Sequence, residues 1–100
     1  MPANRLAAVN FRITAHSGSG APSDALELLL ERLGPRREEA RFARGTGEIR
    51  VSWGEDEPVS MESDEREEIG RLAVLGVLEE VCDRSPELRL DWFAVSARRY

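Results

Sequence analysis

The sequence predicts an α+β two-layer sandwich: a four-stranded antiparallel sheet, spatial order 4-1-3-2, with two helices on one face. Three observations predict it. Apolar residues recur with period two, then about 3.6, then two, two, about 3.6 and two again along the chain. The middle pair of alternating segments is separated only by Gly45-Thr46-Gly47, which forces an antiparallel hairpin. And 100 residues with 41% hydrophobic and 33% charged content suffice for one core and one domain spanning residues 1–100. This is the ferredoxin-like βαββαβ order.

The first strand is read over Arg5–His16, with Leu6-Ala7-Ala8 as its lead-in. Val9, Phe11, Ile13 and Ala15 fall on one face, and Asn10, Arg12, Thr14 and His16 on the other, so one face meets the core and the other stays open. Ser17–Ser23 is a Gly/Ser connector. Asp24 and Glu27 have capping-box spacing, and Ala25, Leu26, Leu29, Leu30 and Leu33 form one helical arc that Gly34-Pro35 ends. Arg36–Glu39 reads as a charged turn. Ala40 and Phe42 alternate with Arg41 and Ala43, with Arg44 joining the inner set, and Ile49, Val51 and Trp53 point inward from the returning strand. Gly54–Met61 is an acidic loop. The second helix starts at Ser63 or Asp64, where Asp64, Glu65 and Glu67 suit the positive end of the macrodipole, and runs to about Asp83 before Arg84-Ser85-Pro86. The last strand covers Leu88–Ala97, either apolar on both faces in its second half or bulged at Trp92–Phe93.

Composition narrows the function. All 14 basic residues are arginine, with neither lysine nor glutamine present, a pattern expected of GC-rich coding in a high-GC bacterium. The net charge of −5 opposes a phosphate backbone, so nucleic acid is not an expected partner. No apolar run approaches the ~20 residues of a membrane span. The N-terminal segment has no signal-peptide pattern, and a cytoplasmic location is expected. Cys82, the single cysteine, cannot pair within the chain and reads as a small core residue.

Four features are candidates for function. Leu72–Leu78 is seven apolar residues in a row, which on a helix covers the whole circumference and suggests burial on more than one side. The open sheet face should gather Asn10, Arg12, Thr14, His16, Arg41, Arg50 and Ser52 with either Arg89 and Asp91 or Phe93; Arg12, His16 and Arg50 would be its ligand-binding set, with His16 as its acid/base group. Ser17-Gly18-Ser19-Gly20 precedes a helix as phosphate loops do, but the chain has no lysine for a P-loop and no dinucleotide fingerprint. Glu55, Asp56, Glu57, Glu62, Asp64, Glu65, Glu67 and Glu68 make an acidic stretch without EF-hand spacing. No His/Cys metal set, cofactor motif or catalytic constellation is recognisable.

The expectation is therefore a non-catalytic association or adaptor module, self-associating as a homodimer or binding a larger protein, with Leu75, Leu78, Trp92, Phe93 and Val95 at the interface. The alternative is a small cofactor-independent enzyme or anion-binding domain working from Arg12, His16 and Arg50.

Overall fold

In the computed structural model, which describes residues 9–37, 40–54 and 63–97, the first alternating segment becomes an interior strand of a sheet. β1 (Val9–Ala15) pairs antiparallel with β4 (Glu48–Trp53) on one side and β5 (Phe93–Ala97) on the other. β3 (Ala40–Gly45) pairs with β4, and a two-residue strand, β2 (Arg36–Arg37), lies outside β3. The order β2-β3-β4-β1-β5 contains the predicted 4-1-3-2 arrangement of the long strands. The predicted strand lead-in at residues 6–8 and most of the acidic loop, residues 55–62, lie outside the described residues.

Pairing in register puts like faces together. Phe11 stands between Val51 and Ala97, and Ile13 between Ile49 and Val95. Phe11 and Ile13 are completely buried, and Phe42, Ile49, Val51, Trp53 and Phe93 complete the sheet's share of the core. α1 (Ala25–Leu33) covers it with Ala25, Leu29 and Leu33, and α2 (Ser63–Arg84) with Val74, Leu78 and Val81, so both helices lie on one face.

The N-terminal end of α1 is held differently from the sequence expectation, whereas its C-terminal end stops at Gly34 as expected. Asp24 makes no side-chain cap; the Pro22 carbonyl accepts the Ala25 N–H at 3.0 Å instead. At the other end Gly34 takes φ 76°, and its N–H reaches the Leu30 carbonyl at 2.9 Å. The predicted charged turn after it is instead partly strand. The Pro35 carbonyl accepts the Phe42 N–H at 3.0 Å, which lays Arg36–Arg37 along β3. Arg37 then reaches back: its Nε donates to the Leu33 carbonyl at 2.9 Å and its Nη2 to the Arg32 carbonyl at 3.2 Å. These are carbonyls that the end of a helix leaves unpaired. Its Nη1 also meets Glu80 of α2 at 3.3 Å.

The apolar run of α2 resolves into two sides. Gly70, Val74, Leu78 and Val81 face inward at positions i, i+4, i+8 and i+11. Ile69 and Leu72 face out, 44% and 54% exposed. Gly70 marks the closest approach of helix and sheet, since a Cβ there would lie 2.9 Å from the Phe11 ring. Cys82 packs against the core edge, as expected. Burial, with Asp83 beside it, pushes its thiol up from the ordinary value. It is therefore expected to react with iodoacetamide at neutral pH more slowly than free cysteine, the rate climbing only at more alkaline pH; a rate equal to the free amino acid's would contradict this.

The last strand is shorter than predicted. Leu88 is buried and Leu90 is 36% exposed, so the two do not share a face. Leu90–Trp92 is a 3₁₀ turn, whose predecessor Leu88 donates its N–H to the Ser85 carbonyl at 2.9 Å. The strand begins at Phe93, which points to the core, while Trp92 is half-buried against it, ring edge to face at 6.3 Å.

Candidate functional site

On the open face of the sheet the structure brings Asn10, Arg12, Thr14, Arg41, Arg50 and Ser52 together. Ala94 and Ser96 complete that face, in place of the predicted Arg89 and Asp91 or Phe93, because β5 starts later and Phe93 turns inward. Arg12 and Arg50 are direct cross-strand partners. The His16 N–H donates to the Trp92 carbonyl at 2.7 Å, and stepping by two residues makes Arg12–Ser96 a hydrogen-bonded pair. Arg12–Arg50 is then the non-hydrogen-bonded kind, which sets the side chains closest. Two guanidiniums so placed repel unless an anion joins them, and Glu48 does so. Its Oε1 is 3.8 Å from Arg12 Nη1 and its Oε2 3.6 Å from Arg50 Nε, with the carboxylate side chain only 14% exposed. Glu48 was legible by parity, since it alternates with Arg50 along one strand.

His16 does not join this group. It follows β1, four residues beyond Arg12, which is about 13 Å along an extended strand. Its side chain is exposed, and its carbonyl accepts the Ser19 hydroxyl at 2.8 Å. A depression on the open face beside Asn10, Arg41, Arg50 and Ser52 holds about 180 Å³. Small-molecule sites usually start near ~300 Å³.

The Ser17–Gly20 segment closes on itself. Ser19 bonds back to His16 and its Oγ accepts the Ala21 N–H at 3.4 Å. No group of three or more His, Cys, Asp or Glu among the described residues is arranged to hold a metal ion. No helix of the described residues is long and apolar enough to cross a membrane.

A cleft of about 480 Å³ opens between α1 and the β3–β4 hairpin, floored by Leu26, Leu30 and Ile49. Arg44 crosses its rim to Glu27 at 2.6 Å. Arg44 thus does lie on the helix side, as its parity predicts, but as an exposed ion pair. The cleft exists only once helix and hairpin are docked, and no local pattern announces it.

The association residues divide. Leu78 and Phe93 are 0% and 5% exposed and belong to the core, so their side chains offer a partner almost no surface. Their correction follows from period: Leu78 stands four residues after Val74, and Phe93 opposite Ala15 on the helix side of the sheet. Leu75, Trp92 and Val95 are half-buried. Among the described residues the exposed large apolar side chains are Leu90 in the 3₁₀ turn and, on α2, Ile69 and Leu72, beside which Gly76 opens to empty space. Glu65, Glu68, Glu79 and Glu80 surround this strip with carboxylates. Leu75 shares a stripe with Cys82, seven residues on, and Cys82 borders the Leu88–Asp91 segment that leads into β5. Leu75 therefore lies on the β5 flank of the helix.

Comparison with known proteins found no matching family model, no similar curated protein and no similar solved structure.

Proposed function

We propose that this chain is a non-catalytic association module of the bacterial cytoplasm, pairing with a second copy of itself. The observation that carries the reading is the outer side of α2, where Ile69 and Leu72 stand 44% and 54% exposed on adjacent turns of one helix. A helix on a two-layer sandwich ordinarily turns charge to water at such positions. Two large aliphatics one turn apart, continued by half-buried Leu75, make a contiguous patch that burial against a partner stabilises. A twofold contact needs only this one patch.

The test is solution mass across a concentration series, at low and high salt. Copies carrying −5 each repel, so screening is expected to strengthen self-association. Leu72→Glu changes an exposed position and is expected to leave the fold intact while raising the dimer dissociation constant by about tenfold or more. A monomer at every concentration overturns self-association. Binding to a basic protein that weakens with salt would instead assign the patch to a larger partner.

The alternative, ligand binding by Arg12, His16 and Arg50, has less support. Glu48 already occupies the arginine pair, and His16 stands apart from it.

A further inference from the structure

The two edges of the sheet are built differently. One ends in β2, two residues long and both arginine. Short, charged edges resist pairing with another chain. The other ends in β5, whose sequence Phe-Ala-Val-Ser-Ala carries no charge and no proline. Among the described residues nothing pairs with its outer side, and β1 is its only neighbour. An edge of this kind is a template for another strand.

We propose that β5 pairs antiparallel with β5 of a second copy about a twofold axis through Val95, joining the two sheets into one. The proposal rests on the self-association reading above and specifies its geometry.

The backbone decides which groups are free. His16 N–H to Trp92 carbonyl at 2.7 Å fixes the alternation along β5. Ala94 and Ser96 therefore direct their N–H and C=O to β1, opposite Thr14 and Arg12. Phe93, Val95 and Ala97 direct theirs to the free edge. One of these is already taken, since the Phe93 N–H donates to the Leu90 carbonyl. With the axis at Val95, that residue faces its own copy and exchanges two bonds with it. Ala97 N–H of each copy meets the Phe93 carbonyl of the other. That makes about four interchain backbone bonds, and the pattern tolerates the missing Phe93 donor.

Side chains agree with a second copy rather than an arbitrary strand. Phe93 comes opposite Ala97, Ala94 opposite Ser96 and Val95 opposite Val95, so large residues face small or equal ones and no like charges meet. A twofold pair of β2 edges would set arginine against arginine. On the helix side, α2 packs over β5 and β1, with Leu75 on the β5 flank. The twofold brings this flank, with Leu75, toward that of the second copy.

The experiment measures mass by sedimentation for the wild type and Val95→Pro, with circular dichroism on both. The Val95 N–H points away from β1, so proline there removes an edge donor and no bond within the sheet. Val95→Pro is expected to stay folded and to dissociate with a constant raised by about tenfold or more. A second variant keeps the test decisive if proline disturbs the strand. Val95→Cys in a Cys82→Ser background places two thiols on the axis, where a hydrogen-bonded pair sets Cα atoms about 5.5 Å apart, within disulfide range. It is expected to form a disulfide-linked dimer on mild oxidation, whereas Ala43→Cys in the same background, on the open face, forms no interchain disulfide. A wild-type dimer that does not cross-link at residue 95 and ignores Val95→Pro would overturn this geometry while leaving self-association standing. A wild type that is monomeric throughout removes both.

Discussion

Replacing Phe11 by alanine is expected to lower the melting temperature by at least about 15 °C. Phe11 is completely buried on β1, an interior strand of the sheet. Truncating a buried phenylalanine costs about 3–5 kcal/mol, against a total stability of roughly 5–15 kcal/mol for a domain of this size. The upper part of that range applies here for a specific reason. The α2 residue directly above the ring is Gly70, which has no side chain to relax into the vacated space. Its backbone is fixed by the helix, and so the cavity persists. Thermal melting followed by circular dichroism measures the effect. A loss under about 5 °C would show that the helix can settle onto β1, and that the packing between them is looser than described.

Gly70→Ala is expected to destabilise, although helix propensity alone predicts the reverse. Alanine in a helix interior is favoured over glycine by about 1 kcal/mol. At position 70 the added Cβ would stand 2.9 Å from Phe11 Cε2 and Cζ and 3.0 Å from Trp53 Cε3. Both rings are buried, and neither presents a flexible end that could swing aside. Overpacking of this kind costs roughly 1–3 kcal/mol beyond what propensity returns. Gly76 is the internal comparison. It lies in the same helix with nothing within 4 Å of its would-be Cβ, so Gly76→Ala is expected to stabilise by about 0.5–1 kcal/mol. Denaturant unfolding of the two variants should move the midpoint in opposite directions. Stabilisation by both would mean that α2 stands further off the sheet.

Much of the fold is legible because period and facing coincide. Phe11 and Ile13, and likewise Ile49 and Val51, are spaced by two residues with polar neighbours, and only one strand face can then be inside. Leu88–Trp92 shows where the same signal misleads. Leu88, Leu90 and Trp92 also alternate, but after Pro86 the chain closes a turn through Ser85, and the apparent stripe scatters over different surroundings. Arg36–Arg37 is strand without any apolar pattern, created by the carbonyls of α1 and by Phe42. In α2 an unbroken apolar run carries no phase of its own. Gly70 at the start of the i, i+4, i+8 series was the one local hint to which side faces in.

The site was less readable for the same reason. Leu78 and Phe93 look like surface anchors in sequence because they are large and apolar, while burial depends on phase against elements distant in sequence. Arg12 and Arg50 were correctly brought together by strand order. Their neutralisation by Glu48 needed the register as well. The free edge of β5 follows from topology and from knowing where the strand begins, neither of which a local window contains.

The placement of β1 sets a timetable for the nascent chain. Among the described strands the first made, β1, lies inside the sheet, and one of its two neighbours, β5, is the last of them made; Arg12 and its hydrogen-bonding partner Ser96 are 84 residues apart. At about 5–20 residues per second, translation holds them apart for several seconds or more. Through that interval β1 can be joined by β4, while its other edge stays open and α2 is still emerging to cover Phe11. Contacts of such long sequence separation also slow the final step, because the intervening loop must close before any of them is gained. The sheet therefore completes with β5, and β1, which carries the fully buried Phe11 and Ile13, waits longest for its last neighbour.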